Sequence, residues 1–385
     1  MEYSKRIQRI PPYLFAEIDK AIEEKRRRGV DVISLGIGDP DLPTPPNIVE
    51  RLKEASEKPA NHRYPPYEGI QSFREAVTGW YRRRFSVELD PEKEVVALIG
   101  SKEGIAHLPL AFINLGDVVL CSNPGYPVYS IGTILSDGVP HPLPLKAENR
   151  FIPDLTAVEG KTARKAKLMH INYPNNPTAA TTDKKFFEDV VSFARENNVI
   201  VCHDAAYSEV SFGSYKAPSF LEADGAKEVG IEFHSLSKTY NMSGWRIGFA
   251  VGNEDVIAGL GKVKQNVDSG VFQAVQEAGT EALTGPQDAV QKNNRILEKR
   301  RNLMVKGLRE LSWDVPKPKA TFYLWIPVPN GGSSLAFAKK VLDEAGVVVT
   351  PGVGFGEYGE GFIRIALTQS ETRLQEALKR LEKLK

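Results

Sequence analysis

The sequence predicts an α/β protein with a large domain, its mostly parallel sheet sandwiched by helices, and a smaller α+β domain. Three observations carry that prediction. Short β-branched runs alternate with helical patterns through most of the chain, the signature of strand–helix–strand units. From about Pro286 the character changes, and a long helical stretch leads into a few further strand-like runs. The 385 residues are also enough for two cores. We expect residues 46–285 to form the large domain and 286–385 the small one, with residues 1–45 belonging to the small domain.

Taken in order, residues 13 to 28 have helical periodicity, with Pro11 and Pro12 just before them. A short strand-like run, "DVISLGIGDPD", breaks into a Pro-rich loop. "EVVALIG" reads as a strand leading into the helix "SKEGIAHLPLAFINL". "DVVLCSNP" and "AKLMHINYPNNPT" are strands, the second ending in a turn. "DKKFFEDVVSFARENN" is an amphipathic helix, and "VIVCHDAAY", "IEFHSLSK" and "RIGFAVG" complete the strand series. The long helix "DAVQKNNRILEKRRNLMVKGLREL" precedes the strand-like "ATFYLWIPV" and "GFIRIALT".

Fifty basic residues against forty-nine acidic ones give a formal charge of +1, which offers no electrostatic case for nucleic acid or a membrane surface. The dense basic cluster "EEKRRRG" ends a predicted helix, where cations suit the helix dipole. Cys121 and Cys202 lie in apolar runs and read as buried small hydrophobes of a reducing compartment. No leader-like segment opens the chain and no apolar run reaches about 18 residues, so a cytoplasmic enzyme is expected. The six histidines are scattered, without metal-ligand spacing.

In open α/β sheets, ligands bind beyond the carboxyl ends of the strands. Ser101, Asn176, Asp204, Tyr207 and Lys238 all fall at such ends. The N–H groups of Ser101 and Lys102 open a helix and would receive a phosphate. Ser235, Ser237 and Arg246 add hydroxyls and a permanent guanidinium suited to a dianion. Asp204 closes an apolar strand, where its carboxylate needs a cation or several donors; a protonated pyridine nitrogen would be such a cation. Lys238, if buried, would have a lowered pKa and could condense with an aldehyde. Tyr207 could donate to a phenolate oxygen of the same ring, and Tyr126 could lie against its face. Singly, each has a plainer reading: Asp204 a helix cap, Tyr126 a loop anchor, Lys238 a surface cation. Their joint occurrence in this order argues for a site.

At these residues the chain resembles the pyridoxal-phosphate-dependent aminotransferases of fold type I, class I/II. The motifs "YPNNPT", "HDAAY" and "SLSKTYNMSGWRIGF" carry the resemblance, which covers essentially the whole chain. Within that group it is most similar to the LL-diaminopimelate aminotransferases, on "RIPPYLFAEI", "LGIGDPDLPTP", "GSKEGIAHL" and "NPGYPVY". The resemblance implies pyridoxal 5'-phosphate as cofactor and amino-acid and 2-oxoacid substrates. Lys238 would bind the cofactor aldehyde and move the substrate proton, and Asp204 would keep the ring nitrogen protonated. Tyr207 and Asn176 would bond the ring's phenolate oxygen, with Tyr126 stacked on the ring. Ser101, Lys102, Ser235, Ser237 and Arg246 would surround the phosphate. Tyr64 would reach it from a neighbouring subunit, which makes the working unit a homodimer with shared sites. Arg364 would clamp the substrate α-carboxylate, its alternative being an ordinary strand arginine. Tyr13 and Gly38 would line the substrate pocket, together with Tyr126 and Asn176.

For the narrower family the reaction is amino transfer from LL-diaminopimelate to 2-oxoglutarate, giving tetrahydrodipicolinate and glutamate in lysine biosynthesis. Aspartate aminotransferases often carry an arginine for the distal carboxylate after the cofactor arginine, yet no Arg occurs here between Arg246 and Arg295. Lys262, Lys264 and Lys292 are the basic residues there. Glu68 could accept from a distal ammonium and Lys102 could meet a distal carboxylate, with a surface-turn role as the alternative for Glu68. Rival readings are an aminotransferase for aspartate, alanine or aromatic amino acids, and a carbon–sulfur lyase built on the same site. A cofactor-sensing regulator would be expected to carry an added DNA-binding domain, for which the chain leaves no room.

Overall fold

The computed structural model describes residues 1–12 and 14–384, without the side chains of residues 14–19. Seven strands form the main sheet: β1 (Val95–Leu98), β2 (Val118–Asn123), β3 (Val139–Pro144), β4 (Ala166–Asn172), β5 (Ile200–Asp204), β6 (Gly230–Ser235) and β7 (Gly248–Gly252). They lie in the order β1-β7-β6-β5-β4-β2-β3. All neighbours are parallel except β7, which runs against both β6 and β1. The run "RIGFAVG" therefore closes the series as a reversed strand, a difference an apolar stretch cannot announce, since it reads alike in either direction.

Residues along β1, β6 and β7 are buried throughout because both sheet faces are covered. Alternate residues feed two separate cores. Ala97, Met169, Val201 and Phe249 join one, whereas Val96, Leu168, Cys202 and Phe233 join the other. The helix Lys184–Asn197 shows why the sequence builds these layers. Asp183 caps it by accepting from Phe186 N, and Asn198 ends it in the left-handed conformation. Phe186, Phe187, Val190, Val191 and Ala194 recur at helical spacing and are buried on the sheet. Fully burying a side chain such as Phe187 contributes roughly 1.5–3 kcal/mol.

A third core gathers Ile33 and Leu35 with Met304, Val305, Leu308, Ile363 and Leu374. Its sheet holds β8 (Tyr323–Pro327), β9 (Thr350–Pro351) and β10 (Phe362–Ala366) in the antiparallel order β9-β10-β8. Ile33–Ser34 pairs in parallel with Val347–Val348. The helix Asp288–Glu310 leads from the large sheet into this layer. Both cysteines are free and buried, as their apolar runs suggest. Among the described residues no helix is long and apolar enough to cross a membrane.

Candidate active site

A cleft of about 310 Å³ lies at the carboxyl ends of the parallel strands. On one side, Gly100 turns the chain from β1 into the helix Ser101–Phe112. Gly100 sits at φ +78°, and a Cβ there would come within 2.2 Å of Arg246 Nη2. Only glycine lets the guanidinium close on this helix start. The leading N–H groups of the helix have no acceptor within it, so they and the helix dipole favour an anion. Arg246 Nη1 donates to Ser243 O at 2.7 Å and Nη2 to Ile99 O at 3.3 Å. Ser235 Oγ accepts from Ser237 N at 3.2 Å, which caps the short helix Leu236–Thr239.

Lys238 stands in that short helix, and its Nζ donates to Gly38 O at 3.1 Å. Burial pushes its pKa down to about 8, with Asp39 opposing the shift and Arg364 and Arg246 adding to it. Asp204 ends β5 and is buried. Burial raises its pKa, while two donors work the other way. Tyr129 OH donates to its Oδ2 at 2.9 Å and Ala206 N to its Oδ1 at 3.2 Å. Tyr129 also stacks on His170, with the planes 8° apart.

The opposite wall comes from the turn after β4 and from the small sheet. Asn172 Nδ2 donates to Asp204 O at 2.6 Å, and its Oδ1 accepts from Asn176 N at 2.7 Å. Asn176 Oδ1 then accepts from Arg364 Nη1 at 2.8 Å, and Arg364 Nη2 donates to Gly36 O at 2.7 Å. The guanidinium of Arg364, 2% exposed, lies 4.1 Å from the Tyr323 ring centroid. Tyr207 and Tyr323 hydroxyls are 2.9 Å apart. Tyr207 thus already has one partner, and a hydroxyl retains capacity for a second. Lys102 borders the cleft with its Nζ 5.8 Å from the Tyr126 centroid.

The structure thus brings Ser101, Lys102, Tyr126, Asn176, Asp204 and Tyr207 into one cleft with Ser235, Ser237, Lys238 and Arg246. Gly38 and Arg364 border it too. Tyr64, 86% exposed, and Glu68 do not line the cleft of their own chain; Glu68 Oε1 accepts from Gln265 Nε2 at 2.9 Å. Tyr13 lies outside the described residues. Lys264, one of the lysines in the Arg-free stretch, is buried and donates to both Glu103 oxygens and to Asp268. Glu103, His107 and Asp268 form a metal-like cluster, but the Lys264 ammonium already supplies their cation. Sequence reasoning missed Tyr129, Asn172 and Tyr323. Tyr129 had a signal, because it follows Tyr126 by three residues in the same motif, at the start of the helix Val128–Leu135.

The family model "Aminotransferase class I and II" matches residues 30–381. A relative from Moorella thermoacetica, named LL-diaminopimelate aminotransferase, is 57% identical over 384 residues, covering 100% of this chain and 98% of that protein. One of the same name from Aquifex aeolicus is 56% identical over 384 residues, covering 100% and 99%. The solved structure of apo-BacF from Bacillus subtilis superimposes with a TM-score of 0.96 at 39% identity, covering 100% and 98%. A Thermus thermophilus aspartate aminotransferase mutant gives 0.94 at 28% identity, covering 100% of both chains. With a match over most of its length and relatives at this identity, the chain belongs to the class I and II aminotransferases.

Proposed function

We propose that this aminotransferase moves the amino group of LL-diaminopimelate to 2-oxoglutarate. The products are glutamate and an oxoacid that cyclises, losing water, to tetrahydrodipicolinate in lysine biosynthesis. The observation that carries this reading is full-length identity of 57% and 56% to relatives bearing the LL-diaminopimelate aminotransferase name. We take the working form to be a cytoplasmic homodimer, with Tyr64 and Glu68 serving the partner's cleft; their absence from their own supports that. Packing of Ile33 and Leu35 into the third core supports grouping the stretch around them with 286–385, whereas Arg6 and Arg9 donate to Leu135 O and Gly138 O, each at 3.3 Å, on the large domain.

The donor set fits pyridoxal 5'-phosphate. The Gly100–Arg246 cradle and the start of the helix Ser101–Phe112 suit a phosphate. The buried Asp204 carboxylate suits a protonated ring nitrogen, and the Lys238 amine, with its depressed pKa, suits an aldehyde. When bound, the cofactor supplies that aldehyde and a ring that takes up the electron pair left when the substrate's Cα proton departs. Ser101, Lys102, Ser235, Ser237 and Arg246 would hold the phosphate, with Tyr126 against the ring and Asn176 and Tyr207 at its phenolate oxygen. Arg364 would grip the α-carboxylate with two parallel bonds, which fixes the direction of the Cα–H bond. Lys238 Nζ, once neutral, would take the Cα proton and return it. Lys102 and the partner's Glu68 would meet the distal carboxylate and ammonium.

The test is a panel of amino donors with 2-oxoglutarate: LL- and meso-diaminopimelate, aspartate, alanine and an aromatic amino acid, alongside pyruvate release from cystathionine. LL-diaminopimelate should give the highest kcat/KM; a preference for any other donor, or pyruvate release alone, overturns the assignment.

A pH dependence follows from Lys238. Its pKa of about 8, against an ordinary 10.5, means that the neutral amine prevails above pH 8. Uptake of pyridoxal phosphate by the apoprotein, followed by visible absorbance, should speed up through pH 8 and then level off. A rate still climbing towards 10.5 would place Lys238 in water. The sign for stability is the same: the unfolded chain holds this proton up to 10.5, so Lys238 disfavours the folded apoprotein below pH 8. That cost fades as pH rises from 8 to 10.5.

A further inference from the structure

Under the sheet, away from the cleft, Glu232 of β6 is 0% exposed. Five groups converge on its carboxylate. Tyr81 OH donates to Oε1 at 2.6 Å and Ser219 Oγ at 2.9 Å, and His234 Nε2 lies 2.8 Å from the same oxygen. Phe220 N donates to Oε2 at 2.7 Å, and His203 Nδ1 lies 2.7 Å from it. Burial alone would raise this carboxyl's pKa, but the two histidines outweigh it and hold the group well below the usual range.

Neither histidine borders the cleft. His203, however, precedes Asp204 and reaches across to the chain leaving β4. Its Nε2 lies 3.2 Å from Tyr173 N and 3.0 Å from Tyr173 O. With the proton held on Nδ1 against the carboxylate, Nε2 is the atom that meets the Tyr173 backbone, and in that tautomer it accepts from the Tyr173 N–H. Tyr173 opens the turn that presents Asn176 Oδ1 to Arg364 Nη1. Polar contacts at either end, joined by the backbone from Tyr173 to Asn176, therefore connect a buried acid to the guanidinium in the cleft.

We propose that Glu232 is a positioning residue for substrate binding: by fixing the His203 proton on Nδ1 it sets the height of the 173–178 turn, and with it Asn176 and Arg364. This rests on Arg364 being the carboxylate clamp. The Glu232→Gln change turns one acceptor into a donor facing donors, frees the opposite His203 tautomer and leaves the Tyr173 N–H unmatched.

The test has two readouts. Long-range nitrogen–proton correlation spectra of ¹⁵N-histidine-labelled apoprotein should show His203 protonated on Nδ1, and Glu232→Gln should lose that signature. In the loaded enzyme, the same variant should raise KM for glutamate and 2-oxoglutarate about tenfold with kcat changed far less, the size of one lost hydrogen bond. A wild-type His203 protonated on Nε2, or a folded Glu232→Gln with unaltered KM, overturns the proposal. If Glu232→Gln fails to fold, His203→Leu takes its place, with the same KM rise expected and an unaltered KM counting against it. Where both fold, their effects should be non-additive; additive ones would mean that Glu232 does not act through His203. Arg364→Lys separates the two layers. If it leaves KM intact the clamp reading fails, whereas the apoprotein spectra judge the Glu232–His203 link independently.

Discussion

Replacing Lys238 by alanine should cut amino transfer by at least about 10⁴-fold, because one side chain is assigned both the covalent hold on the cofactor aldehyde and the Cα proton transfer. Borohydride reduction of the wild-type protein, followed by peptide mass analysis, should leave a pyridoxyl group on the peptide carrying Lys238. The alanine variant should carry none. A variant that is still labelled elsewhere with normal turnover would move the nucleophile to another amine. The geometry supports Lys238: its Nζ is partly buried in the cleft, donates to Gly38 O at 3.1 Å and meets no carboxylate within hydrogen-bond distance among the described residues. Losing the side chain should cost little in folding, since burying this amine is itself unfavourable.

Asp204→Ala is the second large effect, and its character differs. The carboxylate sits at the end of β5 with Tyr129 and Ala206 as donors, and burial already strains its charge. A ring-nitrogen proton would relieve that strain and would in turn be held in place. Turnover should therefore fall on the order of 10²–10³-fold, as for other removed electrostatic partners. Cofactor retention should weaken much less, because the phosphate cradle of Gly100, Ser101 and Arg246 is untouched. Equilibrium binding beside single-turnover rates makes the comparison. Near-normal kcat would remove Asp204 from the chemistry, and complete loss of binding would make it a structural anchor.

Much of the large sheet was legible because its strands are buried on both faces and so read as short continuous apolar runs, as "DVVLCSNP" and "VIVCHDAAY" do. The helix Gln71–Phe85 was not. Its buried Phe73, Val77, Trp80 and Tyr81 are interleaved with Thr78, Gly79 and a terminal run of three arginines, which blurs the periodicity. Site residues at strand ends were legible through position and chemistry together. The contacts that hold them were not, because each joins distant parts of the chain. Asn172 reaches Asp204 across 32 residues, Tyr129 reaches it across 75, and Arg364 reaches Asn176 across 188. Glu232 looked like any charged residue in an apolar run; nothing local in "IEFHSLSK" says that the glutamate points inward. Lys264 shows the converse. One of three basic residues in an Arg-free stretch, it proves to be committed to Glu103 and Asp268.

The reversed direction of β7 has a consequence for how the cleft is built. A strand running backwards delivers its incoming end where the others deliver their outgoing ends, so Arg246 arrives just before β7 on the rim where Ser235 ends β6 and Ser237 and Lys238 follow. One connecting loop between adjacent strands thus bears both the amine and the anion grip. Arg364 comes from the other sheet, so the two guanidiniums that border the cleft stand on separate layers, and one loop alone sets the span from Lys238 to Arg246.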